Sequence, residues 1–356
     1  MSFILLINAI KAIDNYLWRP IVINSRLRLA SGKSVLYLFM CWTFCGVTHA
    51  QNKEQTIAVD YPNRTIKIVA PGAGSGTDIT ARVLAKYLTI LWKQPVIIEN
   101  KPGAGGSIGI NAVINSPADG YTLLANSATY AINPAVYNKL PYDAVKSLAD
   151  VSMLTSTPYV LITNANSPYK TLSDLIQASK KSSGALTFGS AGVGSSTHLA
   201  AEYLHQTTGI TNTHIPYKSS PEVIQDVLAG RVDYFMAPFD TALPYLKTGK
   251  LRSLGITAKE KLSQFPQFIT IAEQGYPAFD INFWVGIWAP IDVPQDILRK
   301  INQDMNKAMQ DREIKSTFEK SGVQIREMNQ PQFHQFVQSE MKKYSNIVKI
   351  AGIKVN

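Results

Sequence analysis

Two segments of this chain set a cluster of glycines and hydroxyls between a β-branched run and an amphipathic run, which constrains each to a strand turning tightly into a helix. Residues 71–82 read PGAGSGTDITAR and residues 188–204 read FGSAGVGSSTHLAAEYL. With few side chains in the way, consecutive backbone N–H groups converge at a helix N-terminus, where the partial positive charge attracts an anion. In the first loop the candidate donors are Gly74, Ser75, Gly76 and Thr77, with Asp78 expected as the N-cap and as an i,i+4 partner of Arg82. In the second they are Ser190, Ala191, Gly192, Gly194, Ser195 and Ser196, with His198 bracing the loop. Burying a carboxylate costs several kcal/mol, and each hydrogen bond to a charged group returns about 1.5–3 kcal/mol, so several such donors hold one without an arginine. A third cluster, ENKPGAGGSIG at residues 99–109, is expected to be structural, a close-packed start to a helix.

From Tyr61 onward, short β-branched runs alternate with amphipathic stretches, the pattern of βα units on a parallel or mixed sheet. Strands are expected at 66–70, 96–99, 121–125, 159–163, 186–188, 232–236 and 251–256. Helices are expected at 78–91 and 221–229, and others opening at Pro294 and at Pro331, each with a 3.6-residue apolar stripe. No internal repeat is visible. Two stretches, 151–158 and 257–261, read as crossovers between two α/β domains, so that residues 51–155 plus 258–356 form one domain and 156–257 an inserted second.

The charge of +10 is uneven, because five cations and one acid, Asp14, fall within the first fifty residues. There Arg26, Arg28 and Lys33 precede an apolar run that ends in Thr48-His49-Ala50, the order of a secretory signal cut after Ala50. The run is shorter than the roughly 18 apolar residues of a membrane span. Residues 1–24 exceed what a signal needs and read as an over-long start. Both cysteines, Cys41 and Cys45, lie in this segment, so the secreted part has no thiol for nucleophilic, zinc or iron–sulfur chemistry. The remaining cations are scattered, with no basic stripe for a nucleic acid.

Other chemistry is weaker. His198, Glu202 and His205 share a helix face at metal-ligand spacing, but the same helix needs Leu199 and Leu204 for packing, and no further ligand pattern appears. His214 and His334 read as isolated. Residues 72–76 faintly echo a dinucleotide fingerprint, with Glu99 as the following acid, although the spacing is not GxGxxG. A secreted nucleotide enzyme therefore stays open as an alternative. There is no GxSxG elbow and no Walker lysine, so no catalytic residue, metal or cofactor is assigned. Trp284 reads as a core aromatic before a ligand contact.

Taken in order, several short motifs resemble the Bug family, the extracytoplasmic solute receptors of tripartite tricarboxylate transporters. They are Gly74-Ser75-Gly76-Thr77-Asp78 with Ala81-Arg82, then NKPGAGGSIG, Pro117-Ala118-Asp119-Gly120-Tyr121-Thr122, and Leu140-Pro141-Tyr142-Asp143. Next come GSAGVGSSTHLAAE, Ile215-Pro216-Tyr217-Lys218, Leu246-Lys247-Thr248-Gly249-Lys250, Phe283-Trp284-Val285-Gly286 and Ala351-Gly352-Ile353-Lys354. The resemblance implies a type II periplasmic-binding-protein fold, two α/β domains around a ligand cleft with two crossover segments. It also implies that the two glycine loops hold a carboxylate of a small ligand, di- or tricarboxylic or an acidic amino acid. Ser127, Thr129, Tyr217 and Lys218 then become candidates for reaching the cleft. The implied partner is a membrane permease, or alternatively a membrane sensor, and the implied state is a periplasmic monomer without catalysis. The chain departs from the family pattern at Ala70-Pro71, at Ser75, and at Phe268-Ile269-Thr270.

Overall fold

The computed structural model describes residues 60–353 apart from 138, 145 and 183. The signal segment lies outside the described residues. No described helix is long and apolar enough to cross a membrane.

The sheet runs in the order β2-β1-β3-β9-β4-β7-β5-β6, with β8 and β10 also pairing β4. Its strands are β1 (Ile66–Ala70), β2 (Val96–Asn100), β3 (Thr122–Ser127), β4 (Leu148–Asn164), β5 (Thr187–Ser190), β6 (Thr213–Pro216), β7 (Tyr234–Pro238), β8 (Leu251–Ile256), β9 (Asn282–Pro290) and β10 (Gln324–Ile325). Parallel pairs β1–β2 and β1–β3 lie on one side, and β5–β6 and β5–β7 on the other. Between them β4 changes partners along its length. Residues from Leu148 to Pro158 pair antiparallel with β9, whereas Tyr159 to Thr163 pair with β7. The stretch 151–158, expected as a crossover, is thus part of one long strand. Its Ser, Thr and Met residues are buried along the pairing with β9, and Thr155 and Ser156 pair with β10 as well, which a polar composition conceals.

Among the described residues ten α-helices cover the sheet: α1 (Gly76–Trp92), α2 (Ser107–Ile114), α3 (Thr129–Val136), α4 (Leu172–Lys181), α5 (Ser196–Thr208), α6 (Ser220–Leu228), α7 (Phe239–Lys247), α8 (Gln295–Met309), α9 (Arg312–Lys320) and α10 (Gln330–Ala351). The α1 stripe buries Ala81, Leu84, Ala85 and Leu88, and the α8 stripe buries Leu298, Ile301, Met305 and Met309. Helix α10 opens with an Asn329–Gln332 capping box and packs on α3, α5 and β4. Trp284 is 1% exposed, edge-on to Phe333 and Phe336, with its Nε1–H donated to Glu340 at 3.0 Å, so it belongs to the core.

Candidate functional site

The two glycine loops share the same framework of bonds. In each, a serine caps the helix: Ser75 Oγ accepts the Asp78 amide and Ser195 Oγ accepts the His198 amide, both at 3.3 Å. Both serines have the same extended backbone, φ −70 and ψ 158 against φ −69 and ψ 160. The serine amides return to Gly72 and Gly192 carbonyls at 3.2 and 3.1 Å. Gly74 and Gly194 sit at φ 73 and φ 75, a left-handed turn open to glycine. The shared pattern, GAGSGTD against GVGSSTH, is a short internal repeat that a search for longer periods passes over. It also corrects the expected cap, which is Ser75 and not Asp78.

Both loops open onto one small cavity of about 60 Å³. The N-terminal ends of six helices line it: α1 through Ser75 and Gly76, α2 through Gly106, α3 through Ser127 and Thr129, α5 through Ser195 and Ser196, α6 through Ser219 and Ser220, and α7 through Pro238. This follows from the parallel strands, each of which delivers its chain into the next helix at the same edge. Six positive helix ends around one space favour an anion. The amides of Gly76, Thr77 and Thr197 head helices, where no carbonyl of the helix itself reaches them.

Nine of the sequence-stated candidates line the cavity: Ser75, Gly76, Thr77, Ser127, Thr129, Ala191, Ser195, Ser196 and Lys218. Others stand behind it. Gly74 spends its amide on Asp78 Oδ2 at 2.8 Å, and Gly194 spends its own on His198 Nδ1 at 3.2 Å. Ser190 is fully buried and bonds Gly192 on both its amide and carbonyl sides. Tyr217 turns its hydroxyl to Asp226 Oδ2 at 2.5 Å, and burial with this carboxylate pushes the phenol up to about 12.

Sequence reasoning missed Asn126, Thr197, Phe283 and the third glycine cluster, where Gly103, Gly105 and Gly106 line the cavity. The signal for the cluster was present, small residues directly before a helix, as in the two loops that were read as sites. Asn126 is 1% exposed, and its Nδ2 has no partner among the described residues. Leaving such a donor unmet costs about 1–3 kcal/mol.

Among lining residues only Lys218 carries a charge. Asp78 stays out of the cavity: burial alone would raise its carboxyl, but Arg82, Asn100 and the Gly74 amide hold it below the usual range. Asp240 packs its Oδ2 beside Gly76, and burial pushes it up to about 6.

Contacts also cross between the β1–β3 side and the β5–β7 side. The Ser196 amide donates to Thr129 Oγ1 at 3.1 Å, and the Tyr137 hydroxyl donates to the Val193 carbonyl at 3.2 Å. A Cβ placed on Gly72 would lie 2.9 Å from Ser219 Cβ.

Behind the second loop, Phe188 is ringed by His198, His205 and His214. Glu202 links His205 Nδ1 at 3.2 Å and His198 Nε2 at 3.6 Å. His214 is not isolated: it stacks on His198 with centroids 3.9 Å apart and meets Ser190 Oγ at 2.6 Å. His334 pairs with Asp150 at 2.7 Å. Ser190 and His214 have nucleophile and base spacing, but burial and neighbouring His198 push His214 down to about 3, too weak a base to activate a hydroxyl near neutral pH. Burial would raise Glu202, but its histidine bonds bring it to about 2. Among the described residues no group of His, Cys, Asp or Glu is arranged to hold a metal.

The family model of the tripartite tricarboxylate transporter family receptor matches residues 80–353. The chain belongs to that receptor family. BugT of Bordetella pertussis is 34% identical over 83% of this chain and 91% of its own length. Two solved structures from Rhodopseudomonas palustris, each 27% identical, cover 100% of their own chains: Rpa4515 with adipate, over 83% of this receptor at a TM-score of 0.80, and MatC with bound malate, over 81% at 0.77. The receptor is thus a Bug-type solute-binding protein with the two-domain periplasmic-binding-protein fold.

Proposed function

We propose that this receptor captures a small di- or tricarboxylate in the cavity between the two glycine loops and delivers it to the membrane permease of a tripartite transporter. The observation that carries this is the convergence of six helix N-termini, with the amides of Gly76, Thr77 and Thr197, on a cavity whose lining includes one cation and no carboxylate. A carboxylate between α1 and α5 neutralises both helix ends. Adipate and malate, the acids named for two structural neighbours, have this chemistry. The absence of an acidic side chain from the lining disfavours an amino acid, whose ammonium group would need one.

In this reading the two domains are residues 60–155 with 258–353, and 156–257, hinged where β4 passes from Pro158 to Tyr159 and where β8 ends at Ile256. Ligand closes them, and the closed form is what a permease recognises. The protein is exported by cleavage after Ala50, works as a periplasmic monomer and performs no reaction. Titration calorimetry on the purified protein with short di- and tricarboxylates tests the reading: saturable 1:1 binding supports it, and heat only with nucleotides replaces it with the nucleotide-enzyme alternative.

A further inference from the structure

Asn126 stands at the end of β3, paired with Gly286 of β9. Its Oδ1 accepts the Ser127 amide at 2.8 Å, which fixes the face the side-chain amide presents. Its Nδ2 is buried and left unpartnered, 3.3 Å from where a Cβ on Gly106 would be, and both Asn126 and Gly106 line the cavity. The hydroxyls near it have partners of their own. Ser127 Oγ and Thr129 Oγ1 bond each other at 3.0 Å, Thr129 Oγ1 also takes the Ser196 amide, and Ser75 and Ser195 cap helices. Buried donors in folded proteins are almost always met, so an acceptor belongs at this place.

We propose that Asn126 reads a second oxygen acceptor on the ligand, selecting acids that carry a distal carboxylate or a 2-oxo group over plain monocarboxylates of the same length. This rests on the carboxylate-receptor reading. The first carboxylate lies between the α1 and α5 amides, and the second acceptor takes the Asn126 Nδ2–H. The shared chemistry is an oxygen lone pair at a fixed distance from the first carboxylate.

The test is titration calorimetry of wild type, Asn126→Ala and Asn126→Asp with linear C3 to C6 dicarboxylates, matched monocarboxylates and matched 2-oxo acids. Asn126→Asp keeps the acceptor for the Ser127 amide while removing the donor, so a loss there is not a loss of folding, and the melting temperature of each free variant checks this. Wild type is expected to prefer a two-acceptor acid to its monocarboxylate, and Asn126→Ala to erase that preference by about tenfold or more, the weight of one hydrogen bond to a charged group. Asn126→Asp should weaken the two-acceptor acid further. Which class loses affinity separates the distal carboxylate from the 2-oxo group. An unchanged ratio in Asn126→Ala overturns the role of Asn126 while leaving the receptor reading intact. Wild type that binds none of the acids overturns both.

Discussion

Asp78 and His198 hold the same place in two loops: each accepts the amide of a left-handed glycine four residues upstream, Gly74 at 2.8 Å and Gly194 at 3.2 Å. One is a carboxylate and the other a ring nitrogen, yet each closes its loop so that the following amides face the cavity. His198 Nδ1 is therefore an unprotonated acceptor, which leaves the proton on Nε2, toward Glu202. His198→Asn retains a side-chain acceptor and should keep ligand affinity within a few fold, whereas His198→Ala should lower it by roughly tenfold, since the freed loop no longer aims its donors. Equal losses in the two variants, read by calorimetry, would remove the acceptor role.

Across the cavity the Ser196 amide meets Thr129 Oγ1 at 3.1 Å. Thr129→Val preserves shape and removes the acceptor, at a cost of about 1 kcal/mol to the closed form. Ligand dissociation should quicken roughly fivefold in stopped-flow measurements with little change in association. A slowed association with unchanged dissociation would count against a closing bond.

Gly72 faces Ser219 so closely that an added methyl would lie 2.9 Å from its Cβ. Its backbone is outside the left-handed region, so Gly72→Ala should fold normally and hold the two sides apart. Overpacking of about 1–3 kcal/mol predicts an affinity loss of roughly 5- to 150-fold, together with a larger radius of gyration by small-angle scattering when ligand is present. Wild-type affinity would show that this contact plays no part in closure.

Ser195 spends its hydroxyl on the His198 amide and on Thr197 Oγ1, so its first duty is to the fold. Ser195→Ala should cost about 1 kcal/mol and lower the melting temperature by about 2–4 °C in the free protein. Weakened binding with no thermal change would instead mark the hydroxyl as a ligand donor.

Two buried groups give opposite pH dependences. His214, brought to about 3, binds fewer protons in the folded state than its unfolded value of 6.5 allows, so it costs stability as pH falls from 6.5 toward 3, by up to about 1.4 kcal/mol per pH unit. Asp240, raised to about 6 from 3.8, binds an extra proton when folded, so it restores stability as pH falls from 6 to 4. Glu202, at about 2, adds stability above 4.5 that is lost only at lower pH. Between pH 6 and 4.5 the first two offset, and the melting temperature should stay nearly flat. In His214→Gln it should rise on acidification, and in Asp240→Asn it should fall; the same slope in both would contradict the assignment.

Much of the fold was legible because it rests on local pattern. Strands 66–70 and 251–256 are found where β-branched runs announced them. Strand β9 escaped because NFWVGIWAP is buried along nearly its whole length and shows no alternation, and β10, two residues long, is defined only by its pairing with β4. The glycine loops were readable as a candidate site, since small residues before a helix have a local meaning. Asn126 and Phe283 were not, because only the sheet order brings β3, β9 and the loops to one edge. Tyr217 was misplaced for the converse reason: loop position says nothing of the Asp226 carboxylate that draws its hydroxyl away.

The most direct test of the carboxylate-receptor account is thermal shift on the purified protein, unfolded and refolded to strip retained ligand, against mono-, di- and tricarboxylates, amino acids and nucleotides. A ligand at about a hundred times its Kd adds about 2.7 kcal/mol, a rise of several degrees. The account predicts that at least one di- or tricarboxylate raises the melting temperature this far and that nucleotides leave it unchanged. A rise with nucleotides and none with any carboxylate would contradict it.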